Sequence, residues 1–146
     1  MLINNLNNLS FKGEDKRFLI VDDDPIMRMV MKSMFKNWEH ITIEMVMDGQ
    51  QALEKLKHSF FDLIIMDLQM PVMNGFQTAN AIRNGECGEL RKNIPILAVT
   101  ADLSDMVKTR SSQMDYVLIK PFDLEKLEAA ILHCLMPGEQ LNKRAN

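Results

Sequence analysis

Short apolar runs alternate with amphipathic stretches along this chain, and each run stops at a charged, hydroxyl or turn-forming residue. Phe18-Leu19-Ile20-Val21 ends at Asp22-Asp23-Asp24-Pro25, which predicts a buried strand whose carboxyl end opens into a loop and then a helix beginning at proline. From Ile26 to Trp38 the apolar positions Ile26, Met27, Val30, Met31, Met34, Phe35 and Trp38 recur at helical spacing, so an amphipathic helix follows. The unit then repeats, with Ile41-Thr42-Ile43-Glu44-Met45-Val46 as a strand and residues 49–58 as a helix turning Ala52, Leu53 and Leu56 inward. Leu63-Ile64-Ile65-Met66 is a third, wholly apolar strand that ends on Asp67; after a loop over residues 68–75 a helix runs from Phe76 to Arg83. Ile94-Pro95-Ile96-Leu97-Ala98-Val99 and Val117-Leu118-Ile119 predict the fourth and fifth strands, each again followed by a helical segment.

Strict alternation of strands and helices, with strands apolar on both faces, predicts an α/β fold. It calls for a five-stranded parallel sheet, doubly wound, with helices on both faces and right-handed crossovers. Five units are too few for an eight-stranded barrel. The common open arrangement has strand order 2-1-3-4-5, and ligands then bind beyond the carboxyl ends of the strands, at the switch point between strands one and three.

Length and composition narrow the class without changing this picture. A chain of 146 residues, 47% hydrophobic and 25% charged, suits one domain with a sizeable core. The polar, Asn-rich stretch over residues 1–16 is expected to be a flexible lead-in or linker, residues 17–135 the folded domain, and residues 136–146 a flexible tail. A net charge of -3 argues against direct contact with nucleic acid. Residues 1–10 have neither the charged nor the apolar region of a secretory signal, and no stretch is long enough to cross a bilayer, so a cytoplasmic location without membrane contact is expected. Cys87 and Cys134 form no CxxC pattern, which fits a reduced compartment. The thirteen methionines are expected chiefly as fillers of an irregular core.

Candidate chemistry gathers at the predicted strand ends. Asp22, Asp23 and Asp24 close the first strand and Asp67 the third, so the topology brings into one cleft carboxylates that are more than forty residues apart in sequence. Carboxylates so placed repel one another and raise one another's pKa, an arrangement that a bound cation relieves. Hard oxygen ligands in a partly open site suit Mg²⁺, which keeps several waters and is completed by phosphate oxygens. An acidic run before a helix also serves to cap it; that reading is preferred for Asp24, and the metal reading for Asp22 and Asp23. Thr100 closes the fourth strand and Lys120 the fifth, and both residue types bind phosphoryl oxygens.

The segments FLIVDDDP at 18–25, DLIIMDLQMPVMNG at 62–75, IPILAVTA at 94–101 and IKPF at 119–122, in this order, resemble the receiver domains of bacterial two-component response regulators. IPILAVTA and the polar insert 84–93 before it are especially similar to receivers attached to hybrid sensor kinases, which leaves open whether the regulator stands free or belongs to such a kinase; no output domain is expected within it. The resemblance implies a flavodoxin-like (βα)5 fold. It implies that Asp67 accepts a phosphoryl group from a phosphohistidine on a histidine kinase or histidine phosphotransfer protein. Asp22, Asp23, Asp67 and the main-chain carbonyl of Gln69 would then hold Mg²⁺, with Mn²⁺ as the alternative, while Thr100 and Lys120 would bind the phosphoryl oxygens. It further implies a signalling protein with at most self-phosphorylation and autophosphatase activity, whose partner surface is the face of helix four, strand five and helix five. Pro71 and Gly75 would shape the loop after Asp67, Gly75 through its freedom in backbone angles.

Three features stand apart from that pattern. Many receivers carry an aromatic residue three positions before the active-site lysine, where this chain has Val117; the neighbouring Tyr116 should face the other way along the strand. A muted or differently routed switch is therefore expected. Residues 102–114 offer few apolar anchors, chiefly Leu103, Met106, Val107 and Met114, which predicts either a lightly attached moving helix or a plainly exposed one. His40, His58 and His133 sit in ordinary helix-end or surface settings, so the phosphodonor is expected to be another protein. Two other chemistries fit less well. A phosphoester hydrolase with a nucleophilic aspartate wants a second acid two residues later, where Gln69 stands. A flavodoxin-like cofactor binder would need a phosphate-cradling loop where this chain has three aspartates.

Overall fold

The computed structural model describes residues 14–111 and 113–136. The expected lead-in up to residue 13 and the tail from residue 137 lie outside the described residues. Five strands and five helices alternate: β1 (Lys16–Val21), α1 (Pro25–Phe35), β2 (Ile41–Val46), α2 (Gly49–His58), β3 (Leu63–Asp67), α3 (Gly75–Arg83), β4 (Ile96–Thr100), α4 (Asp105–Ser111), β5 (Tyr116–Ile119) and α5 (Leu124–Leu135). The sheet is parallel throughout, with strand order β2-β1-β3-β4-β5, as the alternation and the common arrangement predict. Period-two alternation divides the strand side chains between two cores. Phe18, Ile20, Leu63, Ile65, Leu97, Val99 and Leu118 pack with Met31 and Phe35 of α1 and with Leu127 and Ile131 of α5. Leu19, Val21, Ile64, Met66 and Ile96 pack on the opposite face with Ala52 and Leu56 of α2 and Ala79 and Ile82 of α3. All five residues of β3 are buried, so its last residue, Asp67, is carried into a sheltered position by the strand itself.

Several local expectations are corrected. Helix α1 stops at Phe35, and Trp38 lies beyond it, buried with its ring edge-on to Phe35 at 4.8 Å. The inward stripe of α1 is narrower than its sequence suggests, because Ile26 and Val30 are exposed. Strand β4 starts at Ile96 rather than Ile94: Pro95 has no N–H to give a ladder, although its carbonyl accepts from Ile64 N–H at 3.0 Å. Strand β1 begins at Lys16, one residue before the predicted domain start. The methionines divide, with Met31, Met66 and Met70 buried and Met29, Met47 and Met106 exposed.

The far end of the sheet is held by Arg83. Its guanidinium donates to the carbonyls of Gln113, Lys92 and Ile94 at 3.0, 2.9 and 2.7 Å and to Asp115 Oδ2 at 3.2 Å, and the same Asp115 oxygen accepts from Ile96 N–H at 2.8 Å. Arg83→Ala would strip three carbonyls and a carboxylate of a shared donor in a half-buried setting. We expect it to lower unfolding stability by about 3 kcal/mol, read as a fall in the urea midpoint at an unchanged slope.

Candidate functional site

Parallel strands with a common direction deliver their carboxyl ends to one rim, and the candidate residues meet there. Asp22 follows β1, Asp67 ends β3, Thr100 ends β4 and Lys120 follows β5. Carboxylate oxygens of Asp22, Asp23 and Asp67 all lie within 4.8 Å of one another. Lys120 Nζ stands 3.8 Å from Asp67 Oδ1. An open cleft of about 470 Å³ is lined by Asp23, Asp24, Pro25, Asp67, Gln69, Ala101 and Lys120.

Local bonding fixes Asp22, Asp24, Asp67 and the backbone of Lys120. Asp24 caps α1, its Oδ1 accepting from Ile26 N–H at 2.9 Å, so the helix-start reading holds for this residue. Asp22 Oδ1 accepts from Asp24 N–H at 2.9 Å, and its carbonyl accepts from Arg28 Nη1 at 2.8 Å, which ties the acidic loop back onto the first turn of α1. Gln69 N–H donates to Asp67 Oδ1 at 3.2 Å. The backbone of Lys120 is pinned to the end of β4 by Lys120 N–H to Thr100 O at 2.8 Å, and the Lys120–Pro121 peptide is cis.

Gly75 owes its place to contact rather than to backbone angles. The described glycines with positive φ are Gly85 and Gly88, so the expectation for Gly75 is corrected. A Cβ at Gly75 would stand 2.5 Å from Asp67 O and 2.8 Å from Leu68 Cα, and Gly75 N–H donates to Leu68 O at 3.1 Å. The α3 start is thus folded directly onto the backbone that carries Asp67. Gly75→Ala is expected to cost about 2 kcal/mol of stability by pushing these segments apart, and to broaden or shift the amide signals of residues 67–69 in an NMR spectrum.

The electrostatics of the rim are those of carboxylates held together against their repulsion. Asp67 is 5% exposed; burial, and then the adjacent Asp22 charge, push its pKa up to about 6, against the opposing pull of Lys120 and of the Gln69 N–H. Asp22 is also raised, first by burial and further by Asp23, while the Asp24 N–H and Lys120 pull it down. Hard oxygen donors this close, backed by one nearby ammonium, match a Mg²⁺ site completed by water and phosphate oxygens. The two thiols are unsuited to such chemistry: burial pushes Cys134 up to about 12 and raises Cys87 as well.

Thr100 stands at its predicted strand end, 1% exposed, but its hydroxyl is bonded elsewhere: Thr100 Oγ1 donates to Asp105 Oδ2 at 2.6 Å and accepts from Asp102 N–H at 3.1 Å. Asp105 is buried at 5% exposure, although the apolar pattern of residues 102–114 points to Leu103, Met106 and Val107 instead. Its signal was the weakness of that apolar pattern, which left a polar residue to face inward. Val117 is half-buried on β5, while Tyr116 is partly exposed with its ring 4.4 Å from that of His133 on α5. Among the described residues no helix is long and apolar enough to cross a membrane.

Residues 18–132 match the family model described as the response regulator receiver domain. The autoinducer 2 sensor kinase/phosphatase LuxQ of Vibrio vulnificus is 35% identical over 123 residues, which are 83% of this chain and 14% of that protein. The transcriptional regulatory protein ZraR of Klebsiella oxytoca is 32% identical over 126 residues, 84% of this chain and 27% of its length. The chain therefore spans only a fraction of the curated relatives it matches. Among solved structures, the receiver domain of a sensor histidine kinase from Pseudomonas aeruginosa, described with a magnesium ion in its active-site cleft, superposes with a TM-score of 0.74 at 27% identity, covering 83% of this chain and 98% of that one. A chemotaxis response regulator, CheY4 of Vibrio cholerae, superposes with a TM-score of 0.73 at 31% identity, covering 83% and 99%.

Proposed function

The chain belongs to the response regulator receiver domain family, the phosphorelay modules of two-component signal transduction, and from that premise we propose that Asp67 is its phosphoacceptor. The observation that carries this reading is the single rim where Asp22, Asp23, Asp67 and Lys120 converge, with Asp67 open to the cleft at the end of a fully buried strand. Asp22, Asp23, Asp67 and the Gln69 carbonyl would hold Mg²⁺, or Mn²⁺ in its place. When bound, the ion would neutralise charge on the carboxylates and on the incoming phosphoryl oxygens.

The residues of the chain supply the rest. An Asp67 carboxylate oxygen attacks phosphorus, and the O–P bond forms as the N–P bond of a phosphohistidine breaks, its electron pair leaving with the imidazole nitrogen. The Lys120 ammonium, already beside the nucleophile, is placed to bind a phosphoryl oxygen, and the Thr100 hydroxyl takes another once it turns from Asp105. Autophosphatase activity uses the same rim with water as the acceptor: water adds to phosphorus and gives up a proton to solvent, the O–P bond to Asp67 breaks, its electron pair returns to the carboxylate, and inorganic phosphate leaves. The donor is a histidine kinase or histidine phosphotransfer protein in the cytoplasm, residues 17–135 are the working domain, and the face of α4, β5 and α5 meets the downstream partner.

The test is incubation with acetyl phosphate and Mg²⁺ followed by intact mass measurement. A labile single-phosphate adduct is expected, and none should form when EDTA is present from the start in place of Mg²⁺. No adduct, or steady phosphate release from general phosphoesters, would sink the assignment, the latter in favour of a hydrolase.

A further inference from the structure

The hydroxyl of Thr100 has one proton to give, and in this structure it is given to a buried carboxylate on the next helix. Asp105 opens α4, and it and Thr109 are the buried residues recorded on that helix, while Leu103, Met106 and Val107, the apolar residues at its start, are exposed. Thr109 satisfies its own hydroxyl locally, donating to Met106 O at 2.8 Å. The attachment of the α4 start to the sheet therefore runs through Thr100 to Asp105 rather than through an apolar stripe.

A phosphoryl oxygen is an acceptor only, as is the Asp105 carboxylate, so the two compete for the same proton. The second hydrogen-bonding role of the hydroxyl, accepting from Asp102 N–H, does not relieve that competition. We propose that Asp105 is a positioning residue for the phosphoryl site, holding the Thr100 hydroxyl away from it while Asp67 is unmodified and releasing the start of α4 when the hydroxyl turns to the phosphoryl group. This rests on the reading of Asp67 as phosphoacceptor and Thr100 as a phosphoryl ligand. Once the hydroxyl leaves, Asp105 is a buried carboxylate without the donor that paired it, and the relief open to it is to move toward water with the helix that carries it. The chain thereby couples its site to α4 through a polar pair on β4 and α4, at a place where Val117 offers no aromatic side chain.

The experiment measures affinity for beryllofluoride, a stable phosphoryl mimic, in the presence of Mg²⁺, by NMR titration of the full chain. Wild type is compared with Asp105→Ala, with the near-isosteric Asp105→Asn, and with both changes in a Thr100→Val background. Freeing the hydroxyl should tighten binding on the order of tenfold in Asp105→Ala, with a smaller gain in Asp105→Asn. In unliganded Asp105→Ala, the amide signals of residues 101–109 should move toward their positions in liganded wild type. In the Thr100→Val background neither change should alter affinity. Unchanged affinity in folded Asp105 variants, or a gain that persists without the Thr100 hydroxyl, overturns the inference while leaving the phosphoacceptor reading intact. Failure of wild type to bind beryllofluoride at all overturns the phosphoacceptor reading, and the role of Asp105 with it.

Discussion

Asp67→Asn is expected to leave no phosphoryl adduct and, in metal-free solution, to give a more stable protein than the wild type. The first effect follows from replacing the nucleophilic carboxylate at the end of β3 with a non-nucleophilic amide. The second follows from the charge around it. Burial and the Asp22 carboxylate raise Asp67 to about 6, so the folded state holds that proton more tightly than the unfolded chain does. For a carboxyl raised in this way the destabilisation is absent below the unfolded pKa of about 4, grows as pH rises from there, and is complete above the folded value. The asparagine variant carries no such penalty. Its advantage in EDTA should be about 1–2 kcal/mol near neutral pH, once screening by water in the cleft is allowed for, and should vanish by about pH 4. Saturating Mg²⁺ should close or reverse the gap, because the ion binds the folded wild type better than the variant. Urea unfolding at the two pH values, with and without Mg²⁺, checks all three. An equal gain at both pH values would mean that packing rather than charge explains it.

That trade between stability and chemistry explains which parts of the molecule its sequence made legible. The five strands could be read because each is a short apolar run, and a run that ends on Asp67 or on Asp22 announces a rim of carboxylates once the strands are parallel. Strand order came from the common arrangement of such sheets rather than from any residue, and the register of β1 with β3 then placed the two acids side by side. Legibility failed where the reason for a residue is a close backbone approach or a side-chain bond between two elements, whatever their separation in sequence. Ile26 and Val30 fit a helical stripe, yet both are exposed. Gly75 suggested a special backbone angle, but the reason for it is the approach of Asp67 O, which sequence does not display. The clearest inversion is α4, whose apolar residues point outward while Asp105 and Thr109 are buried. A hydrogen bond from Thr100 stabilises that inversion, and a polar pair formed across two elements leaves no mark on the spacing of apolar residues.

Lys120→Met should separate two roles that the rim combines. The ammonium lies 3.8 Å from Asp67 Oδ1 and is 23% exposed, so it acts in a partly sheltered setting where a charge counts for more than it would in open water. Methionine keeps most of the length and apolar stem while removing the charge. Phosphorylation by acetyl phosphate should slow on the order of 10²–10³-fold, the usual loss when a preorganised donor to developing charge is removed. Binding of Mg²⁺ should move the other way or stay level, since a cation near three carboxylates opposes a second one. Lys120 also pulls Asp67 down, so its loss should raise the Asp67 titration further in metal-free protein, visible in the carboxyl carbon shift. A variant that lost metal binding and phosphorylation together would show that Lys120 holds the rim in shape rather than binding the phosphoryl group. Lys120→Arg should recover little, because a planar guanidinium cannot place a compact charge at the same distance from Asp67.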